Sequence, residues 1–282
     1  DSRDFIATRL KSIASEGGFD DVGALVGQLK KSPESDLHHQ VVEAIIENET
    51  SFFRDFPAFK FLRHDVGAAL AENSPPSDAI NMWCAACSSG QEAYSVAIMV
   101  KDAMPKIRGR TVNIIASDVS TSLIELAKGG SYTQDQVNRG LPASLLIKHF
   151  TRDSLSWYVK DYLKDMLDFR VKNLLDSWDE LPVFDVILLR NVLIYFPLEA
   201  QHKILERLRK HMHQDSFLFL GIAEVPPPDD KLFQQVGENE VGCYTLKSPE
   251  ELLAAGNLSV TPTDDESASA EEQPAAKKKK KK

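Results

Sequence analysis

The stretch INMWCAACSSGQEAYSVAIM, residues 80–99, decides how the rest of the chain is read. It opens as a buried apolar strand, passes through small residues and Gly90, and continues as a helix. Small side chains and one glycine between a strand and a helix let the backbone turn tightly and approach a ligand closely. The same run holds Cys84 and Cys87 in a C-x-x-C spacing. With no second half of a metal or redox motif, they read as small buried hydrophobes.

On the C-terminal side the rhythm of this stretch repeats. VNIIASD (112–118), LDFRVKNLL (167–175), FDVILLRN (184–191) and SFLFLGIAE (216–224) read as strands. STSLIELAKGG (120–130) and PLEAQHKILERLRKHMH (197–213) read as helices, with Ser120 as N-cap, Gly129 as C-terminal stop and Pro197 at a helix start. Strands alternating with helices predict an α/β fold with a mostly parallel, Rossmann-like sheet covered on both faces, whose ligands bind at the carboxyl ends of its strands. QQVGENEVGCYTLKS (234–248) reads as a hairpin closing one edge, and the aromatic-rich region 151–171 as a small antiparallel β excursion.

On the N-terminal side, residues 1–72 read as a small all-helical domain. LHHQVVEAIIENE (37–49) places Leu37, Val41, Val42, Ile45 and Ile46 on one face, and AFKFLRHDVGAALAE (58–72) repeats that spacing after a turn at Asp55 and Pro57. ENSPPSD (72–78) is a linker, which sets the expected domains at 1–72 and 73–247. Residues 248–282 lack aromatics and end in six lysines, the composition of a disordered tail.

Composition narrows the function. No apolar run reaches the roughly 20 residues of a membrane span, and no export signal opens the chain, so a cytoplasmic protein without membrane insertion is expected. Three cysteines do not make a disulfide framework. The formal charge is -9, and residues 1–247 carry 27 basic against 35 acidic groups, which disfavours a nucleic-acid partner. The His38-His39 pair and His211-x-His213 lack clustered acids or cysteines, so no metal site is expected.

At the strand ends the chemistry is that of a nucleoside site. VNIIASD ends at Asp118, where an acid accepts hydrogen bonds from a ribose diol, although the same residue could simply cap the helix near Ser120. No G-x-x-x-x-G-K-[ST] is present, and no basic residue stands in the first turn to meet a pyrophosphate. A nucleoside without phosphates points to S-adenosyl-L-methionine, with Glu92 and Arg54 as polar neighbours for its amino-acid end.

Five motifs in order, NETSFFRD (48–55), WCAACSSGQEAYSVAI (83–98), ASDVS (116–120), VKNLL (171–175) and FDVILLRNVLIYF (184–196), resemble those of the bacterial chemotaxis receptor methyltransferase family, CheR. The resemblance covers residues 5–247. It implies methyl transfer from S-adenosyl-L-methionine to receptor glutamates, leaving S-adenosyl-L-homocysteine. It places Asn48, Thr50, Arg54, Glu92, Asp118, Asn173, Leu174, Arg190 and Asn191 on cofactor-contacting positions and Tyr195 near the methyl group. Arg54 and Tyr195 are then the residues expected to orient the acceptor. NETSFFR becomes a lid over the cofactor, anchored by Phe52 and Phe53, which could equally be plain interdomain packing.

The implied partner is the cytoplasmic domain of methyl-accepting chemoreceptors, approached by a monomer. The family carries more helix before ATRLKS than this chain, although Arg9 is retained. Residues 1–72 hold thirteen acidic and eight basic groups where enteric relatives show a basic face, and Gln91 and Ala93 stand where Glu and Pro are common. The excursion is shorter than in relatives that grip a receptor's carboxy-terminal pentapeptide, so no such tether is expected. Two alternatives stand beside this reading: a carboxyl methyltransferase of another signalling protein, and a non-catalytic adaptor that binds the cofactor.

Overall fold

The apolar runs become ten strands: β1 Ile80–Ala85, β2 Val112–Asp118, β3 Ser131–Thr133, β4 Phe150–Asp153, β5 Ser156–Val159, β6 Leu167–Val171, β7 Phe184–Leu189, β8 Met212–Leu220, β9 Phe233–Val236 and β10 Cys243–Leu246. The computed structural model describes residues 2–32, 35–45, 49–73, 75 and 78–254. Seven strands form one sheet in the order β6-β2-β1-β7-β8-β10-β9. The first five in that order run parallel, and β10 lies antiparallel between β8 and β9 as the expected closing hairpin. From β1 the chain winds outward through β2 to β6, then crosses back to β7 on the other side. The switch point between β1 and β7 opens a crevice at the carboxyl ends of these two strands.

Both central strands are buried nearly throughout, β7 at all six positions, as an apolar run covered on both faces requires. Alternation along β1 divides the core. Met82 and Cys84 face helix Gln91–Ala103, whereas Trp83 and Ala85 face the core of Trp178, Phe184 and helix Leu198–Lys210. There Trp83 lies edge-on to Trp178 and stacked on Phe184, and its indole N–H donates to Ser117 Oγ at 2.9 Å.

Three sequence expectations shift. The antiparallel excursion is the sheet β3-β5-β4, so it begins at Ser131 rather than 151. Its far end shifts as well: Leu167–Val171 pairs parallel with Ile114–Asp118, as the strand reading of 167–175 has it, and so lies outside the excursion expected to run to 171. Helix Thr121–Gly129 stops one residue later than expected. Gly130 takes the left-handed conformation, φ +61°, and its N–H meets the carbonyls of Leu126 and Ala127.

Residues 1–72 divide between two cores instead of forming one domain. Helices Ser2–Glu16, Val22–Lys31 and Asp36–Ile45 share a small core around Ala14, Leu25 and Val41. The helical segment Phe56–Asn73, with a π turn at Leu62–Val66, instead buries Phe59, Leu62, Val66 and Leu70 in the core of the sheet. Arg110 and Arg63 tie this segment to the sheet region through Leu70 O at 2.8 Å and Ala103 O at 3.0 Å.

The chain divides into two compact units, residues 1–247 and 248–282. The second, expected as a tail from 248, opens with helix Pro249–Ala254. Ser248 Oγ accepts from the Glu251 N–H and Glu251 Oε2 accepts from the Ser248 N–H, a capping box that the S-P-E-E sequence spells out. Residues 255–282, with the lysine run, lie outside the described residues. Among the described residues, no helix is long and apolar enough to cross a membrane.

Candidate active site

The crevice holds a cavity of about 410 Å³. Its floor is the turn Ala86–Ser88, its sides are Asp118, Lys172–Leu174 and Arg190–Val192, and its roof is Glu49–Ser51 with Arg54. Tyr195 and Phe196 stand at one side, and Ile6 and Ile45 reach in from the helical bundle.

The floor is held by hydrogen bonds to its main chain. Cys87 N–H donates to Ser117 O at 2.9 Å, Ser88 N–H to Asp118 Oδ2 at 2.8 Å, and the Tyr132 hydroxyl to Ser89 O at 2.7 Å. Gly90 has φ +93°, and a Cβ there would stand 2.9 Å from Ala127 Cβ, so the start of helix Gln91–Ala103 admits no side chain. Burial pushes the Cys87 thiol well up, with Asp118 and Glu92 adding to the effect, and Cys84 follows the same pattern. Neither is a nucleophile at neutral pH, and all three cysteines are free and buried.

Asp118 is buried, and its two oxygens take the N–H groups of Ser88 and Ser120 at 2.8 and 3.0 Å. Burial raises its pKa, against those two bonds. A carboxylate has about four lone-pair sites, so two backbone donors leave capacity for a diol. Capping the helix falls to Ser120 itself, whose Oγ accepts from Leu123 N–H at 3.0 Å.

Arg190 joins the roof to the floor. Its Nη1 donates to Glu92 Oε2 at 2.8 Å, its Nη2 to Arg54 O at 2.7 Å and Asp55 Oδ2 at 2.8 Å, and its guanidinium lies over the Phe59 ring. Burial pushes the Glu92 carboxyl up while Arg190 holds it down. Arg190 Nε is a buried donor that no acceptor among the described residues takes up. A buried unspent N–H beside a carboxylate is the donor and acceptor set that suits a zwitterionic amino-acid end.

The roof is anchored unequally by its two phenylalanines. Phe52 is fully buried, edge-on to Tyr132 and Phe150 of the excursion, and Gly140 presses against its carbonyl with no room for a Cβ. Phe53 is half-buried against Phe59, and its N–H donates to Ser95 Oγ at 3.0 Å. Arg54 Nη1 closes the turn on Glu49 O at 3.1 Å.

Thr50, Arg54, Glu92, Asp118, Asn173, Leu174, Arg190, Asn191 and Tyr195 thus line one cavity, though they come from five separate stretches of chain. Asn48 lies outside the described residues. Asn173 Oδ1 accepts from Leu175 N–H at 2.9 Å, which shapes its loop, and Tyr195 is 57% exposed. Of six described non-glycine residues with positive φ, Phe53, Asp55, Ala86, Ser88 and Asn191 belong to this site. Each such residue costs about 1–2 kcal/mol, and strain of this kind collects where a site dictates the backbone.

Sequence reasoning missed three carboxylates. Asp55 lay in view within NETSFFRD but read only as a turn. Glu224, which accepts from the N–H groups of Asn191, Gly221 and Ile194, stands four residues past the end of β8, whereas Asp118 is the last residue of β2. Glu43 reaches from the helical bundle to the Ser120 and Ser122 hydroxyls at 2.5 and 2.6 Å, and no local pattern announces that contact.

Residues 48–241 match the family model described as CheR methyltransferase, SAM binding domain. Chemotaxis protein methyltransferase Cher2 of Pseudomonas putida is 34% identical to this chain, over 78% of it and 81% of the relative. The chemotaxis protein methyltransferase of Borreliella burgdorferi is 34% identical over 78% and 79%, and chemotaxis protein methyltransferase 1 of Vibrio cholerae is 31% identical over 88% and 90%.

Proposed function

The chain belongs to the CheR methyltransferase family, and from that premise we propose that it methylates glutamate side chains of chemoreceptors, forming methyl esters, with S-adenosyl-L-methionine as donor. The observation that carries this reading is the single cavity at the β1/β7 switch point, which gathers nine residues expected to serve cofactor and acceptor. Asp118 would hold the ribose diol, and Glu92, Arg54 and Arg190 the amino-acid end. The bound cofactor supplies an electrophilic methyl group on a sulfonium.

An acceptor glutamate, with a reference pKa of about 4.3, is already ionised at neutral pH and needs no general base. Among the described residues, the cavity lining contains no histidine, which suits a reaction of that kind. Charge is neutralised as the methyl moves, so exclusion of water favours the transition state. The Glu49–Arg54 roof would keep water from the reacting groups, and Tyr195, which lines the cavity and is exposed, would steer the arriving carboxylate in line. Arg54 serves as a positioning group, since a tight ion pair would blunt the nucleophile.

The test is transfer of a labelled methyl group to purified receptor cytoplasmic domains. Label that mild base releases as methanol, and that a Glu→Ala change in the acceptor abolishes, is the expected result. Base-stable label would overturn the ester assignment. Thirteen acidic and eight basic groups in residues 1–72 favour a second reading, in which the acceptor is another signalling protein. Transfer to such a protein and none to receptors would select it.

The excursion supports docking without a pentapeptide tether. Its β4–β5 turn is only Ser154-Leu155, with no glycine, between strands of four residues each. Calorimetric titration of the receptor pentapeptide should show no binding, and micromolar affinity would overturn this.

A further inference from the structure

We propose that Glu224 is a positioning residue for methyl transfer, a buried carboxylate that sets the loop carrying Asn191 and Tyr195; this rests on the reading of the cavity given above. Beyond β7 and β8 the segments Arg190–Tyr195 and Gly221–Val225 face each other across one side chain. Glu224 Oε2 accepts from the Asn191 and Gly221 N–H groups, both at 2.6 Å, and Oε1 accepts from the Ile194 N–H at 3.3 Å. Its own N–H returns to Gly221 O at 2.8 Å and closes the turn.

Glu224 is only 4% exposed, and none of the described ion pairs includes it. A buried charge without a counter-ion is costly, and here converging backbone dipoles offset that cost. The arrangement also dictates its neighbours. A Cβ on Gly221 would stand 2.6 Å from Asn191 Nδ2 and 2.7 Å from Glu224 Oε2, and Asn191 is held at φ +59°. Asn191 and Tyr195 line the cavity at the two ends of the loop that this carboxylate fixes. Glu224 does not line the cavity, so its effect reaches the cofactor only through them.

The test compares wild type with Glu224→Gln, whose amide sets an N–H group against backbone donors, and Gly221→Ala, which keeps the carboxylate but displaces Asn191. The measurements are affinity for S-adenosyl-L-homocysteine, kcat and KM for methyl transfer, and amide hydrogen exchange along residues 186–196. Both variants should bind the product about tenfold more weakly and lose at least tenfold in kcat, with acceptor KM unchanged within about twofold. Amides of Asn191 and Ile194 should exchange faster while those of β7 do not. A folded Glu224→Gln protein with wild-type kcat and affinity overturns the proposal. So does wild-type Asn191 exchanging as fast as an unprotected amide, a result that needs no variant to fold. A wild type that binds no S-adenosyl-L-homocysteine fails the cavity reading instead, and the exchange rates still decide whether Glu224 holds the loop.

Discussion

Arg190 shows how much of the site rests on one residue. It reaches Glu92 on the helix after β1 and Asp55 in the roof, so a single guanidinium holds together parts of the chain that are 135 and 98 residues distant from it. Arg190→Met removes that cation but keeps apolar bulk against Phe59, leaving Glu92 buried and unpaired. Loss of one partner from a buried pair costs about 3–5 kcal/mol, and urea unfolding at neutral pH should show a loss near the lower figure because Asp55 is partly open to solvent. Asp118 carries a narrower task. Asp118→Ala should weaken S-adenosyl-L-methionine about tenfold in a calorimetric titration, as loss of a charged hydrogen-bond acceptor implies. Undiminished affinity would show that Asp118 serves only the Ser88 and Ser120 amides. Asp118 was legible in the sequence because it stands at the carboxyl end of an apolar strand, whereas Arg190 was picked out only by the family resemblance of its motif. Asp55 and Glu224 stood equally in view, but what they do depends on backbone N–H and guanidinium groups that no short window contains.

At the level of elements, the runs that β1, β2 and β7 bury could be read directly, because a strand covered on both faces has few polar residues to blur it. Three-residue β3 has no periodicity to read, and the partition of the excursion follows from pairing partners rather than composition. The clasp between helix Asp36–Ile45 and helix Thr121–Gly129 was equally hidden. Glu43 accepts there from Ser120 Oγ, Ser122 Oγ and Ser122 N–H. Burial pushes its carboxyl up, but the two hydroxyls and the backbone outweigh burial and hold it below its ordinary 4.5. A depressed carboxylate stabilises the fold when ionised. Its contribution is therefore complete above the ordinary value and is lost as pH falls through the lowered one. Glu43→Gln should accordingly be less stable than wild type at about pH 7, with the gap shrinking toward about pH 3.5. Paired urea titrations at the two pH values check this, and a gap that persists at low pH would mean that packing, not charge, makes the clasp.

For the molecule as a whole, the question is whether the helical bundle and the sheet unfold together. The bundle has its own small core around Leu25, which argues for independence. Against that, Glu43 on the third helix grips the helix after β2, and Ile6 and Ile45 from the first and third helices line the cavity at the strand ends. These contacts are spread over several elements, so separating the bundle would expose the cavity and strand the Glu43 carboxylate. Residues 1–247 should therefore unfold in one calorimetric transition. A ligand that binds only the folded state stabilises it by RT ln(1 + [L]/Kd), about 2.7 kcal/mol at a hundredfold excess over Kd. S-adenosyl-L-homocysteine at that excess should raise the whole transition by several degrees, since for a domain of this size each kcal/mol moves Tm by about 2–4 °C. Two transitions, only the later one moved by ligand, would show instead that the bundle closes over a site it does not help to hold together.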